Sequence, residues 1–206
     1  MERFVHYIVT TFNCGLYKRS WDTGKWMEKR LELFEKYTLP SLKAQTCQDF
    51  KWLLMFDPAT PKIPDFDYDN IIITCESGTA KYFNKHMKDK WLITSRLDND
   101  DYYEPTFVEE IQRCFKEEQL LIDVNGRQLD HKTGKFYKLP KYNLNSPFLS
   151  LIERRKDWIV KYKTVRYTNH GKMKQYFKTK YINKKLVVQV IHDNNRMNSL
   201  TKIEDG

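Results

Sequence analysis

A chain of 206 residues that is 40% hydrophobic and 15% aromatic is too apolar to be a disordered polypeptide, and in one domain it can bury roughly 70% of its unfolded surface without disulfides. No apolar run reaches transmembrane length, and Met1-Glu2-Arg3-Phe4 has none of the features of a signal peptide, so a cytoplasmic protein is expected. The net charge of +9 is confined to one region: residues 1–150 carry 22 Lys+Arg against 22 Asp+Glu, whereas residues 151–206 carry 14 against 5. Such a basic quarter is either a solvated face or a surface for an anionic partner: nucleic acid, an anionic membrane or a phosphorylated substrate. Cys14, Cys47, Cys75 and Cys114 form no C-x-x-C pair and cluster with no histidine, which argues against zinc and for reduced thiols.

In chain order, Phe4 to Thr11 reads as a buried strand, and Asn13 and Gly15 break it. Trp26, Leu31, Phe34, Thr38 and Leu42 recur at helical spacing. Phe50 to Phe56 is a second strand, closed by Asp57-Pro58, and Asn70 to Thr74 is a third. A helix is expected over Thr79 to Lys88, a strand from Trp91 to Asp98, and a helix from Pro105 to Gln119. This alternation predicts an α/β fold with a mainly parallel sheet. Beyond residue 120, Asn125-Gly126 signals a β-hairpin turn and His131 to Gly134 a second turn. Leu149 to Asp157 reads as helical, Trp158 to Tyr167 as a strand, Gly171 to Tyr181 as a basic helix, and Leu186 to Ile191 as a late strand ending at His192.

The chemistry concentrates where Trp91-Leu92-Ile93-Thr94-Ser95-Arg96-Leu97 runs into Asp98-Asn99-Asp100-Asp101. The carboxyl end of a strand is where α/β folds bind ligands. Three carboxylates so close repel one another unless a cation stands between them, and magnesium or manganese suits an all-oxygen site shared with a phosphate. The plainer reading is a polar turn capping the next helix. A calcium loop fails, because Tyr102 and Tyr103 stand where an oxygen ligand and a glycine are required. Asn13, Asp57 and His192 close other strands, and parallel strands would bring all these ends to one edge.

This ordered set resembles the GT-A fold of nucleotide-sugar glycosyltransferases, and among them the rhamnosyltransferase family of bacterial and phage proteins. The residues that carry the resemblance are Phe4 to Asn13, Tyr37 to Thr46, Phe50 to Asp57, Ser95 to Asp101, Asn145 to Glu153 and Val190 to Asn195. The chain departs from the family pattern at Thr11, where an arginine is expected, and at Asp193, where a glycine is expected. The resemblance implies a single GT-A-like, Rossmann-type domain over 1–206, with a mainly parallel mixed sheet, helices on both faces and an added β-hairpin. Residues 1–120 would be its nucleotide-sugar-binding half and 121–206 its acceptor side.

It also implies roles. Asp98, Asp100 and His192 would hold a divalent ion (Mn2+ or Mg2+). Thr10, Asn13, Asp57, Arg96 and Asp98 would contact the donor. An inverting transfer needs a base, for which Glu153 and Asp157 are the candidates. The partners would be a nucleotide-sugar donor, with rhamnose the sugar that the family naming suggests, and a glycan or lipid-linked acceptor, with the basic quarter drawn to an anionic inner-membrane face. No nucleic-acid partner is expected. Two other classes use the same features. A nucleic-acid-binding module would employ the basic and aromatic residues Arg154 to Tyr167, and a metal-dependent phosphoryl-transfer enzyme or nuclease would employ the carboxylates.

Overall fold

The computed structural model describes residues 3–18, 23–76, 78–87, 91–139, 146–154, 161–193 and 200. Its strands are β1 (Phe4–Thr11), β2 (Lys51–Met55), β3 (Ile71–Thr74), β4 (Trp91–Arg96), β5 (Tyr102–Tyr103), β6 (Leu120–Asp130), β7 (Phe136–Lys138), β8 (Leu149–Arg154) and β9 (Thr179–Ile191). The helices are α1 (Thr23–Leu33), α2 (Leu39–Lys43), α3 (Thr79–His86), α4 (Phe107–Gln112) and α5 (His170–Met173). The strands form one sheet in the order β3-β2-β1-β4-β8-β6-β9-β5, with β7 on β6.

The sheet is mixed rather than mainly parallel. β1 pairs in parallel with β2 and β4, β2 with β3, and β6 with β9, whereas β8 is antiparallel to both β4 and β6. Two antiparallel steps restore direction, so β6 and β9 run the same way as β1 to β4. That common direction, more than parallel pairing itself, delivers the ends of β1, β2, β4 and β9 to one edge.

Apolar clusters cover both faces. Phe34, Leu42, Phe107, Val108 and Ile111 from the helices pack with Ile8, Trp52, Ile93 and Ile152 on one face. Tyr82 and Phe83 of α3 pack with Tyr7, Val9 and Leu53 on the other, and Met173 of α5 packs with Leu121, Leu149 and Leu151. Within this core His6 meets Ser95 at 2.8 Å, and Ser95 meets Ser150 at 2.6 Å, so one polar chain crosses β1, β4 and β8.

The helical run expected around Trp26 to Leu42 contains a turn of π-helix, Phe34–Thr38, between α1 and α2. Pro40 explains it, since proline has no N–H to donate and its ring crowds the carbonyl of the fourth residue before it. The chain widens, and the Leu39 N–H donates to the Phe34 carbonyl five residues back.

Asn125-Gly126 makes no hairpin turn. Strand β6 runs straight through it, with a register irregularity against β9 at Val124 to Gly126. The glycine serves close approach: a Cβ at residue 126 would lie 2.4 Å from Val187 Cγ2 and 2.5 Å from the Val187 carbonyl oxygen. The hairpin turn is the other one, His131 to Gly134, where the Asp130 carboxylate accepts from Lys132 N–H and Thr133 Oγ1.

Leu149–Arg154 is strand rather than helix, because it fills the gap between β4 and β6 and is buried on both faces. Residues 161–167 carry no strand, the expected basic helix shortens to α5, and β9 already begins at Thr179. The remainder of the expected strand from Trp158 lies outside the described residues.

Candidate active site at the carboxyl ends of the strands

The acid loop after β4 is held in place by the segment Thr38 to Thr46. Thr38 Oγ1 donates to the Asp101 carbonyl at 2.8 Å, Gln45 Nε2 donates to the Glu104 carbonyl at 2.9 Å, and Thr46 N–H donates to the Pro105 carbonyl at 2.8 Å. The Asn99 side chain donates to the Phe12 carbonyl at 2.9 Å, which ties the same loop to the end of β1.

Each acid of the loop meets a different counterpart. Arg96 grips Asp98 through two bonds, Nε to Oδ1 at 3.1 Å and a terminal nitrogen to Oδ2 at 3.0 Å, and Arg166 stands 3.8 Å from Oδ1. Burial acts to raise the Asp98 carboxyl, but these two guanidinium charges outweigh it and hold the carboxyl below its ordinary value. On Asp100, a single oxygen, Oδ2, receives both the Arg30 guanidinium and His192 Nε2, the latter at 2.9 Å. Asp101 accepts the Val190 N–H at 2.8 Å, and burial followed by its acidic neighbours pushes its carboxyl well above the usual range. The crowding of acids expected to demand a metal is therefore relieved in large part by arginines.

The sequence-predicted ligands are brought together in part. Asp100 and His192 touch, whereas Asp98 is turned to Arg96 and Arg166, and no three His, Cys, Asp or Glu side chains gather at a metal-binding distance among the described residues. A carboxylate oxygen and an imidazole nitrogen side by side still fit a divalent ion that takes its other ligands from phosphate and water.

Asn13 and Asp57 interlock the loops after β1 and β2. Asn13 Oδ1 accepts from Asp57 N–H at 2.8 Å, and Asp57 accepts from Gly15 N–H at 2.7 Å and Ala59 N–H at 3.0 Å. Each Asp57 oxygen keeps a lone pair for a further donor. Thr10 is fully buried, and its hydroxyl accepts from Trp52 Nε1 at 3.0 Å, which places it in the core beneath these loops.

The base candidates fare differently. Glu153 sits in β8 opposite Leu92, six residues before Asp98 along β4, or ~20 Å away at 3.3 Å per residue. Its two oxygens accept the N–H groups of Lys163 and Thr164 at 2.8 and 2.6 Å, and Thr164 adopts a positive φ of 65°. Glu153 is thus a buried brace for that loop and lies away from the acid edge. Burial lifts its carboxyl to about 7, against the pull of both N–H bonds. Asp157 lies outside the described residues.

One arginine escaped the sequence reading, and a second, Arg166, entered it only within the basic stretch Arg154 to Tyr167. Arg30 is reached by no motif. Arg166 bonds the Thr11 hydroxyl, so a guanidinium from a distant segment stands at the position where the family pattern has its arginine. Burial lowers the Arg166 guanidinium to about 10. His170 has both ring nitrogens buried.

This fold is shared with the glycosyltransferase TarS of S. aureus. The structure of TarS 1-349 in complex with UDP aligns with a TM-score of 0.50 at 14% identity over 91% of this chain, and TarS 1-349 alone with 0.51 at 13%. The chain spans 60% of the length of those two structures. The model of the family described as "Putative rhamnosyl transferase" matches residues 19–65, a stretch that holds Arg30, Thr38 and Asp57. No curated protein matches the sequence. Among the described residues, no helix is long and apolar enough to cross a membrane.

Proposed function

We propose that the protein is a metal-dependent glycosyltransferase that takes a sugar from a nucleotide-diphosphate donor to a hydroxyl of a glycan or lipid-linked acceptor. The observation that carries this reading is the meeting of Asp100 and His192 at the carboxyl edge, beside Arg96 and Arg166. The shared fold and the family match over residues 19–65 support it, and UDP in the TarS complex makes a nucleoside diphosphate the natural first ligand to try.

In this reading, Asp57 and Asn13 receive the nucleoside, with Thr10 supporting their loops from below. Arg96 and Arg166 face the diphosphate and exchange part of their hold on Asp98 for phosphate oxygens. Asp98 is thereby released toward the donor. Asp100 and His192 would hold the divalent ion once Arg30 gives way on Oδ2. A bound divalent ion supplies charge stabilisation for the departing diphosphate, worth several kcal/mol. Arg96 and Arg166 add to that stabilisation from fixed positions, where no reorganisation is needed during the reaction.

A panel of nucleotide sugars and nucleoside diphosphates, with and without manganese, tests the reading by thermal shift. Stabilisation of roughly 2.7 kcal/mol is expected when a ligand is present at 100 times its Kd. Stabilisation by one donor class that grows with manganese is the expected result. Indifference to every nucleotide, together with oligonucleotide binding that falls steeply with salt, would favour the nucleic-acid alternative instead.

A further inference from the structure

The segment 161–167 has no regular structure of its own, yet the backbone from Tyr162 to Val165 is pinned by side chains from α3, β8 and β4. Asn84 of α3 accepts the Tyr162 N–H at 2.9 Å and donates to the Tyr162 carbonyl at 3.1 Å. Glu153 of β8 accepts the N–H groups of Lys163 at 2.8 Å and Thr164 at 2.6 Å. Thr94 Oγ1 of β4 accepts the Val165 N–H at 2.8 Å. The next residue is Arg166, whose guanidinium bonds the Thr11 hydroxyl at the end of β1 and stands 3.8 Å from Asp98. The side chains of Arg166 and Asp98 keep 18% and 32% exposure, so a ligand can reach the pair.

Thr164 is fully buried at a φ of 65°, in the left-handed region that a β-branched residue rarely enters. Such strain persists only where the surroundings over-determine it, and it gathers at active sites and ligand clamps. Here two successive N–H groups, the second that of the left-handed residue, converge on one carboxylate, which is how backbone cradles an anion. Glu153 supplies that anion from within the chain. An amide of the same shape cannot replace it, because it has one oxygen to accept with and its NH2 would face the second N–H. The Thr164 carbonyl and hydroxyl in turn receive the N–H groups of Tyr167 at 3.0 Å and Arg166 at 3.3 Å, so the same turn directs the chain beyond it.

We propose that Glu153 is a positioning residue of the donor site: by holding Thr164 in its left-handed turn, it aims Arg166 at the diphosphate. The inference rests on the glycosyltransferase reading. The distance from Glu153 to the acid edge is covered by the loop itself. Leu92, Thr94 and Arg96 share one face of β4, since side chains alternate along a strand. Glu153 is level with Leu92, Val165 is tied at Thr94, and the long side chain of Arg166 reaches on to Asp98.

Titration calorimetry in the presence of manganese tests this with wild type, Glu153→Gln, Arg166→Ala and the two substitutions combined. UDP, GDP, CDP and dTDP are the probes, and the variants are measured with the one that wild type binds most tightly. Each single substitution is expected to weaken binding about tenfold or more, as the loss of a charge-assisted contact does. The combination should bind no more than about threefold more weakly than Arg166→Ala alone, because Glu153 acts through Arg166. Wild-type affinity in Glu153→Gln would overturn the proposal. So would a combination about tenfold weaker than Arg166→Ala, since effects that add in full mark a general loosening of the fold.

Glu153→Gln together with Thr164→Gly keeps the test decisive even if Glu153→Gln alone does not fold, because glycine adopts the left-handed turn without an anion to hold it. This pair is expected to bind within about threefold of wild type, and binding about tenfold weaker would also overturn the proposal. Failure of wild type to bind any of the probes would sink the glycosyltransferase reading itself and this inference with it, and it would be seen before any variant is made.

Discussion

His192 and Asp100 lie 92 residues apart in the chain and meet at 2.9 Å, on the same carboxylate oxygen that receives the Arg30 guanidinium. Arg30 and Asp100 are both largely buried, at 13% and 9% side-chain exposure. Removing one buried partner strands the other's charge, at a cost of about 3–5 kcal/mol. Asp100→Ala is thus expected to destabilise the fold by that amount in urea denaturation. Asp100→Ala combined with Arg30→Met should recover most of the loss.

The same contact bears on nucleotide binding. Asp100→Asn and His192→Ala are each expected to weaken manganese-dependent binding of a nucleoside diphosphate by at least about tenfold, by comparison with the 10–100-fold that even supporting residues of metal sites contribute. Titration calorimetry with and without manganese checks this. Binding of unchanged strength and unchanged metal response in both variants would remove these residues from the site.

Which parts of this site were legible in the sequence follows from what each residue does. The strand ends at Asn13, Asp57, Asp98 and His192 could be read because apolar runs stop abruptly at polar residues, a purely local signal. Their convergence followed from strand direction. What could not be read depends on partners far apart in the chain. Arg30 and Arg166 are ordinary surface-type residues until the fold sets them against Asp100, Thr11 and Asp98. Glu153 was a base candidate because it lies in the region that follows the expected hairpin, and only the β4–β8 register shows it at the opposite end of the strand. Asn125-Gly126 misled because a turn signal and a close-packing glycine look alike until Val187 is seen against it.

Gly126 has no room for a side chain. Its nearest neighbours include the Val187 carbonyl oxygen at 2.5 Å from the Cβ position, and backbone cannot swing aside as a side chain can. Gly126→Ala is expected to cost about 1–3 kcal/mol or more by overpacking, measured as a lower urea midpoint. A stability within error of wild type would mean that β6 and β9 separate more easily than their pairing suggests.

Thr38→Val removes the hydroxyl that donates to the Asp101 carbonyl while keeping the side-chain shape. Leaving that buried carbonyl without its donor is expected to cost about 1–3 kcal/mol. Because the bond steadies the acid loop, nucleotide affinity should fall along with stability. A loss of stability with unchanged affinity would separate the helix from the site.

Two buried groups shape the pH dependence with opposite signs. Glu153 ionises near 7 in the folded protein, against an ordinary value of 4.5. The folded state therefore holds the proton more tightly, and this contribution to stability, about 3 kcal/mol, is present below pH 4.5 and lost as the pH rises to about 7. His6 is lowered by burial from 6.5 to about 3, so its contribution is present above pH 6.5 and lost as the pH falls toward 3. Glu153→Gln should flatten the decline between pH 4.5 and 7 in a series of urea midpoints, and an unchanged decline would place its origin elsewhere.

The most direct test of the whole account is a crystal structure with manganese and a nucleoside diphosphate. The account predicts an anomalous manganese peak within bonding distance of Asp100 and His192, with the diphosphate against Arg96 and Arg166 and the Arg30 guanidinium displaced from Asp100. A diphosphate bound away from these arginines, or manganese ligated by neither Asp100 nor His192, would contradict it.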